Sequence, residues 1–403
     1  MQPLTRQESR TSIFSWWSDR NPGLQGPTVN IHTMAKPLLR WMYHQQALEL
    51  IAEHRDDPLS GATLEIYCSY FPWDYVWRST KAAILWDLVD RATFEDDART
   101  IVNSEAFSYI TEMLGTPDEE NLGALYRLLF EKLVLYESTA SVIWQSQVYV
   151  QLVRLMRDED ADVVLWAIST LTEVAHSPEC AQAVVEARFQ DHVLVLLDSP
   201  YVQIRQWTCQ LISRLAKHEP PTQAVLELKP CKRLVSLLRD EHPEVVEWAA
   251  NALVHIAHWE EGAQAIIDAD SLAAILALVE PPNLHVPEWA CYLVGTLAGH
   301  ESIVPAILKQ NLCVPLVSYL CGKDSGVIAG AAYALSQLAR WPDGAQAVVT
   351  AKALNPILAL LESPNSNVLL WTHEIAARLL EQECTEPALM GVESRFSRTH
   401  MPS

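Results

Sequence analysis

Residues 261–301, EGAQAIIDADSLAAILALVEPPNLHVPEWACYLVGTLAGHE, decide the fold. A first amphipathic stretch around AQAII is followed by a short apolar run, LAAILALV, and then by a longer segment carrying Trp289. Asp, Ser, Pro and Asn gather between the three, where they cap and turn helices. The pattern recurs outward. ECAQAVV begins at 179 and DGAQAVV at 343, while LNPILALLE (354–362) repeats the apolar run. Trp166, Trp207, Trp248, Trp289 and Trp371 share one register with a period of 41 residues, and Gly330 takes the position they skip. That period divides the chain into units starting at 97, 138, 179, 220, 261, 302 and 343. A second period of 82 lies on the first: Pro200, Pro282 and Pro364 keep it, as do Trp259 with Trp341 and His218 with His300. Alternate units share VQLVRLM, KRLVSLL and VPLVSYL, so a two-unit block was the element duplicated.

Within a unit the spacing is helical. In DVVLWAISTLTEVAH (162–176), Val164, Ala167, Ile168, Leu171, Val174 and Ala175 fall at the i, i+3/i+4 positions of one helix face. One unit cannot bury its apolar face alone, whereas stacked units share a continuous core.

Three helices in about 42 residues is the pattern of the armadillo repeat, and 261–301 is similar to it. The resemblance covers 97–383 and weakens in the first two units. It implies an all-α, right-handed armadillo-type superhelical solenoid of about seven 41-residue repeats with a helical N-terminal cap. HEAT repeats, with two helices per unit, are the structural alternative. The chain departs from the family at the glycine usual between the first two helices, where it has Pro230, Asp270 and Lys352. That departure leaves the inter-helix angle open. The ends divide as a disordered segment 1–30, a cap 31–96 of off-pattern helical stretches, and a disordered tail 384–403. The repeats carry −18 of the net −21.

Composition narrows the function. With 403 residues and 49% apolar side chains the chain can build a large core, and global disorder is excluded. Fifty acidic against 29 basic residues repel a phosphate backbone, so no nucleic acid is expected. No stretch reaches the roughly 18–20 apolar residues that cross a bilayer. The N-terminus lacks the apolar run of a signal peptide, and Gln2 stands where myristoylation needs Gly. Eight scattered cysteines without a CxxC pair read as reduced, buried small side chains in the cytoplasm or nucleus. HExxH, GxSxG, GxGxxG and GxxxxGK[ST] are absent, so no enzyme, cofactor or metal is expected. His255 and His258 are three apart, a spacing open to a metal, but His176, His218, His258 and His300 each end a helix and read as capping residues.

The binding surface is read from the third helix. In armadillo proteins that carry nuclear cargo, this helix presents a Trp and, four residues later, an Asn. Here the family's Asn column falls on Glu173, Arg214, His255 and Thr296, and its Trp column on Ser169, Gln210, Asn251, Tyr292 and Tyr333. Neither ladder is present, so no cargo-binding residue is carried over. The chain has its own ladder seven residues upstream of the Asn register. Seven residues turn a helix by roughly 700°, about 20° short of two turns. Trp248 therefore shares a face with Asn251 and His255, as do Trp207 with Gln210 and Arg214, and Trp289 with Tyr292. That face lies opposite the core stripe of Ala249, Ala250, Leu253 and Ile256. The tryptophans either line a groove or pack sideways as glue between units. On the groove reading, Trp166, Trp207, Trp248, Trp289, Trp371, Gln210, Arg214, Asn251, His255, Tyr292 and Tyr333 form the candidate site. The function expected is a non-enzymatic, monomeric scaffold that binds an extended segment of a protein partner. The alternatives are a nuclear-transport-type receptor for basic peptides and a vacuole- or organelle-associated adaptor.

Overall fold

The structure, a computed structural model, describes residues 31–55, 57–71, 76–114, 122–136, 138–139, 142–143, 148–279, 287–382 and 385. The segment 1–30 and nearly all of the tail 384–403 lie outside the described residues. Among the described residues the regular structure is helical and no strand occurs. The chain forms two compact bodies, 1–151 and 152–403.

In the first body, helix Ile31–Glu53 packs on Arg78–Arg91, which packs on Leu122–Val134. Buried Arg91 ties the turns together. Its Nε donates to Asp87 Oδ2 at 2.8 Å, Nη1 to the Asp57 carbonyl at 2.7 Å, and Nη2 to the His54 carbonyl. Tyr67 Oη donates to the same Asp87 oxygen at 2.7 Å, and the Leu59 amide to Asp97 Oδ1 at 2.9 Å. The guanidinium thus closes helix ends that would otherwise leave carbonyls unpaired.

In the second body the 41-residue pattern becomes three helices per unit. Pro178–Glu186, Gln190–Leu197 and Val202–Leu215 form one unit; Glu219–Glu227, Cys231–Leu237 and Pro243–Ala257 form the next. Then come Glu260–Asp268, Leu272–Val279 and Pro287–Ala298, and last Pro342–Thr350, Leu354–Leu360 and Ser366–Glu381. Between these two lies a unit whose first helix is broken into a 3-10 turn, Glu301–Ile303, and a short helix, Val304–Lys309, before Cys313–Leu320 and Ser325–Leu338. Three helices per unit remove the two-helix alternative. Asp160, Ser177, Asp324 and Asn365 cap helix starts by accepting backbone N–H bonds.

The missing glycine is explained at the turn between the first and second helices. Arg188, Lys229, Asp270, Asn311 and Lys352 all have positive φ, between 54° and 66°, at the same 41-residue spacing. The left-handed turn is kept without Gly, and in the second unit it falls on Lys229, one residue before the sequence-based choice of Pro230. The helices on either side of Asp270 meet at 89°, which fixes the angle that the sequence left open.

Neighbouring units are joined at the open ends of three third helices. His300 Nε2 donates to the Ala257 carbonyl at 2.7 Å, Trp341 Nε1 to Ala298 O at 2.8 Å, and Gln382 Nε2 to Arg340 O at 3.2 Å. Each bond reaches the end of one third helix from a residue about one unit further on, so His300 and Trp341 serve not the helix they follow but the third helix one unit earlier. Among the capping histidines, His258 follows expectation, donating from Nδ1 to Val254 O at 2.8 Å. His218 and His300 instead occupy the N-cap positions of the following helices. An ion pair adds to the stack: Arg205 meets Asp240 of the next unit at 2.9 Å, both nearly buried. Burial works to raise the Asp240 carboxyl, but hydrogen bonds from the His242 amide and ring, with the Arg205 charge, outweigh it and hold it below the usual carboxylate range. Cys180, Cys209, Cys231, Cys291 and Cys313 are buried free thiols, while Cys321 is exposed.

Candidate functional site: the third-helix wall

Consecutive third helices pack side by side: Ala161–Val174 on Val202–Leu215, that helix on Pro243–Ala257, then Pro287–Ala298, Ser325–Leu338 and Ser366–Glu381. Their small residues allow this, since Ala249, Ala250, Ala290, Ala331 and Ala332 are all buried. The approach is tight between Pro287–Ala298 and Ser325–Leu338. A Cβ on Gly330 would sit 3.1 Å from the Glu288 carbonyl and 3.2 Å from Cys291 Cβ, and one on Gly295 would sit 2.5 Å from the Tyr333 ring. A tryptophan at 330 has no room, which is why the ladder skips it.

The wall carries the candidate residues but does not treat them alike. Trp207, Trp248, Trp289 and Trp371 are half-buried, as are Arg214, His255, Tyr292 and Tyr333. Trp166 is only 7% exposed, Asn251 5% and Gln210 9%, so these three do not lie on an open polar face as the helical phase implied. The reason is the neighbouring helix. Ser213 Oγ donates to Asn251 Oδ1 across the seam between units, and Thr172 Oγ1 reaches the Trp207 carbonyl at 3.5 Å. A face opposite one unit's core stripe is partly covered by the next unit's third helix, which a single-helix projection omits.

The half-buried rings join into a track. Trp289 and Tyr292 have centroids 5.8 Å apart, Tyr292 and Tyr333 5.6 Å, and Tyr333 and Trp371 4.7 Å in a T-shaped contact. These are edge-to-face and tilted arrangements of the kind aromatic pairs prefer. Tyr333, one turn after Gly330, carries the track past the skipped position.

Charge is divided between the two edges of the wall. At the N-terminal ends of the third helices stand Glu247, Glu288 and Asp324. Burial raises the Glu288 carboxyl above the usual range, and the Asp324 and Glu247 charges add to it. At the C-terminal ends stand Arg214, Lys217, His255 and His258. His255 is pushed down to about 3, first by burial and then by the charges of Lys217, His258 and Arg214, so its ring is neutral at pH 7. Lys217 is lowered by burial and by Arg214. Sequence reading named Arg214 and His255 but passed over Lys217; the pair R-x-x-K closing a third helix was the available signal. The His255 and His258 rings lie stacked with centroids 6.0 Å apart. No group of three or more His, Cys, Asp or Glu is placed to share a metal ion among the described residues.

No protein-family model matches the chain, and no curated protein matches it. Solved structures do. A crystal structure of an engineered protein is similar over 93% of this chain and 95% of its own, with TM-score 0.72 and 19% identity. A designed armadillo repeat protein in complex with the peptide (KR)4 is similar over 57% of this chain and 99% of its own, with TM-score 0.54 and 22% identity. Computationally designed armadillo repeat proteins for modular peptide recognition match to a like extent, with TM-score 0.52 and 22% identity. The chain has an armadillo-like helical-repeat fold.

Proposed function

We propose that this chain is a non-enzymatic scaffold whose third-helix wall holds an extended segment of a protein partner. The observation that carries the reading is the four-ring track Trp289–Tyr292–Tyr333–Trp371, left half-buried across three successive units. Large aromatics in this state offer apolar area without needing a partner inside the fold, and such residues dominate many interfaces. Helices packed roughly 8–10 Å apart meet a chain extended at about 3.3 Å per residue once every three residues or so. Designed proteins of the same fold that bind peptides support the reading. Cation–π stacking of Arg or Lys on the rings is one contact available to such a peptide. No single described helix is long and apolar enough to cross a membrane.

The test is selection of peptides from a random phage-displayed library on the full chain, repeated with Trp289→Ala and Trp371→Ala. Selected peptides should lose at least tenfold in affinity for both variants while the melting temperature moves by only a few degrees. A library that yields no binder, or binders indifferent to both substitutions, defeats the proposal.

A further inference from the structure

The basic edge of the wall has no carboxylate partner among the described residues. Arg91, Arg99, Arg188, Arg205, Arg233 and Arg378 each meet a carboxylate. Arg214 and Lys217 meet none among the described residues, in a chain where acidic residues outnumber basic ones by 50 to 29. Arg214 Nη1 instead donates to His176 Nε2 at 3.0 Å, a ring just past the end of the preceding third helix. Glu173, exposed on that same helix, makes no ion pair with it.

Three third-helix ends therefore converge. Ala161–Val174 contributes His176, Val202–Leu215 contributes Arg214 and Lys217, and Pro243–Ala257 contributes His255 and His258. One cation per helix end is favoured by the helix dipole. Two at one end, beside a half-buried imidazole that burial and then their charges keep neutral, exceed that need and repel one another. Like charges left together at a surface are relieved by an anion.

We propose that Arg214 and Lys217, flanked by His176 and His258, hold the carboxylates of an acidic stretch in the bound partner peptide. The proposal rests on the third-helix wall being the peptide site. A peptide is the occupant the charges fit, because the opposite edge carries Glu247, Glu288 and Asp324 and turns away a polyanion longer than the cluster. The partner thus places one or two Asp or Glu side chains over the 214–217 cluster and its apolar or basic residues over the aromatic track.

The library selection described above also tests this. Peptides selected on the full chain should be enriched in Asp and Glu, and a labelled peptide from that pool should bind Arg214→Glu/Lys217→Glu at least tenfold more weakly by fluorescence anisotropy. Lys217 is exposed and Arg214 only half-buried, so circular dichroism should show a melting transition moved by no more than a few degrees. Exchanging the peptide's acids for lysine should restore binding to the doubly reversed variant. Neutral or basic peptides that bind through Trp289 and Trp371 overturn the acidic subsite and leave the scaffold reading intact. Acidic peptides indifferent to the charge reversal overturn it as well. A library that yields no binder overturns both.

Discussion

Trp166 and Trp371 share a sequence register but not an environment. The first is enclosed between helices, with 7% of its surface exposed, and the second is half-buried at the end of an aromatic track. Trp166→Ala should therefore leave a cavity and cost roughly 3–5 kcal/mol, whereas Trp371→Ala should cost markedly less, about 1–2 kcal/mol; urea denaturation measures both. His255 makes a pH prediction. Its folded-state value, about 3, lies below that of the unfolded ring. Its contribution is then complete above about pH 6.5 and is lost as pH falls from there toward 3. His255→Gln should flatten the stability profile in that window, as read by denaturation at successive pH values. The register of the tryptophans was legible in the sequence, because every copy occupies the same helical phase. Which copies are covered was not, because that depends on a side chain of the neighbouring unit, such as Ser213 against Asn251.

At the scale of elements, the left-handed turns are the informative feature. Five non-glycine residues hold positive φ where the chain bends between first and second helices. A residue with a Cβ pays about 1–2 kcal/mol there, partly offset in Gly by its greater freedom when unfolded. Lys229→Gly and Lys352→Gly should each raise stability by up to about 1 kcal/mol, detected as a later unfolding midpoint with unchanged slope. The sequence placed this turn within a residue but could not supply its angle, since the usual marker, glycine, is absent. The Arg205–Asp240 pair gives the opposite sign. Asp240→Asn leaves a guanidinium nearly buried without its charge partner and should cost roughly 3–5 kcal/mol. Because the Asp240 carboxyl titrates below its ordinary range, the pair's contribution is present above the unfolded value, about 3.9, and lost as pH falls further.

Across the second body, stability should be distributed by neighbour contacts. Ending the chain after Pro342 removes a whole unit, and with it the bonds from Arg378 to Ser336 O and from Gln382 to Arg340 O. Helix Ser325–Leu338 should then fray at its last turn while 178–298 keeps its amide protection in hydrogen exchange. Ending it after residue 365 should do more harm, since Pro342–Thr350 and Leu354–Leu360 would be left with an uncovered apolar face. The 41- and 82-residue periods were readable, whereas the broken first helix at 301–309 was missed because a period does not show local breaks; Pro305, which suits only a helix's first turn, was the available signal. The caps on the third helices run in one direction: Ala257 waits for His300, Ala298 for Trp341, and Arg340 for Gln382. During synthesis each of these three helices therefore leaves the ribosome with its end open, and closes only when some forty further residues have followed. At about 5–20 residues per second that is a delay of roughly 2–8 s per unit, during which the newest unit is the one exposed to proteases and chaperones.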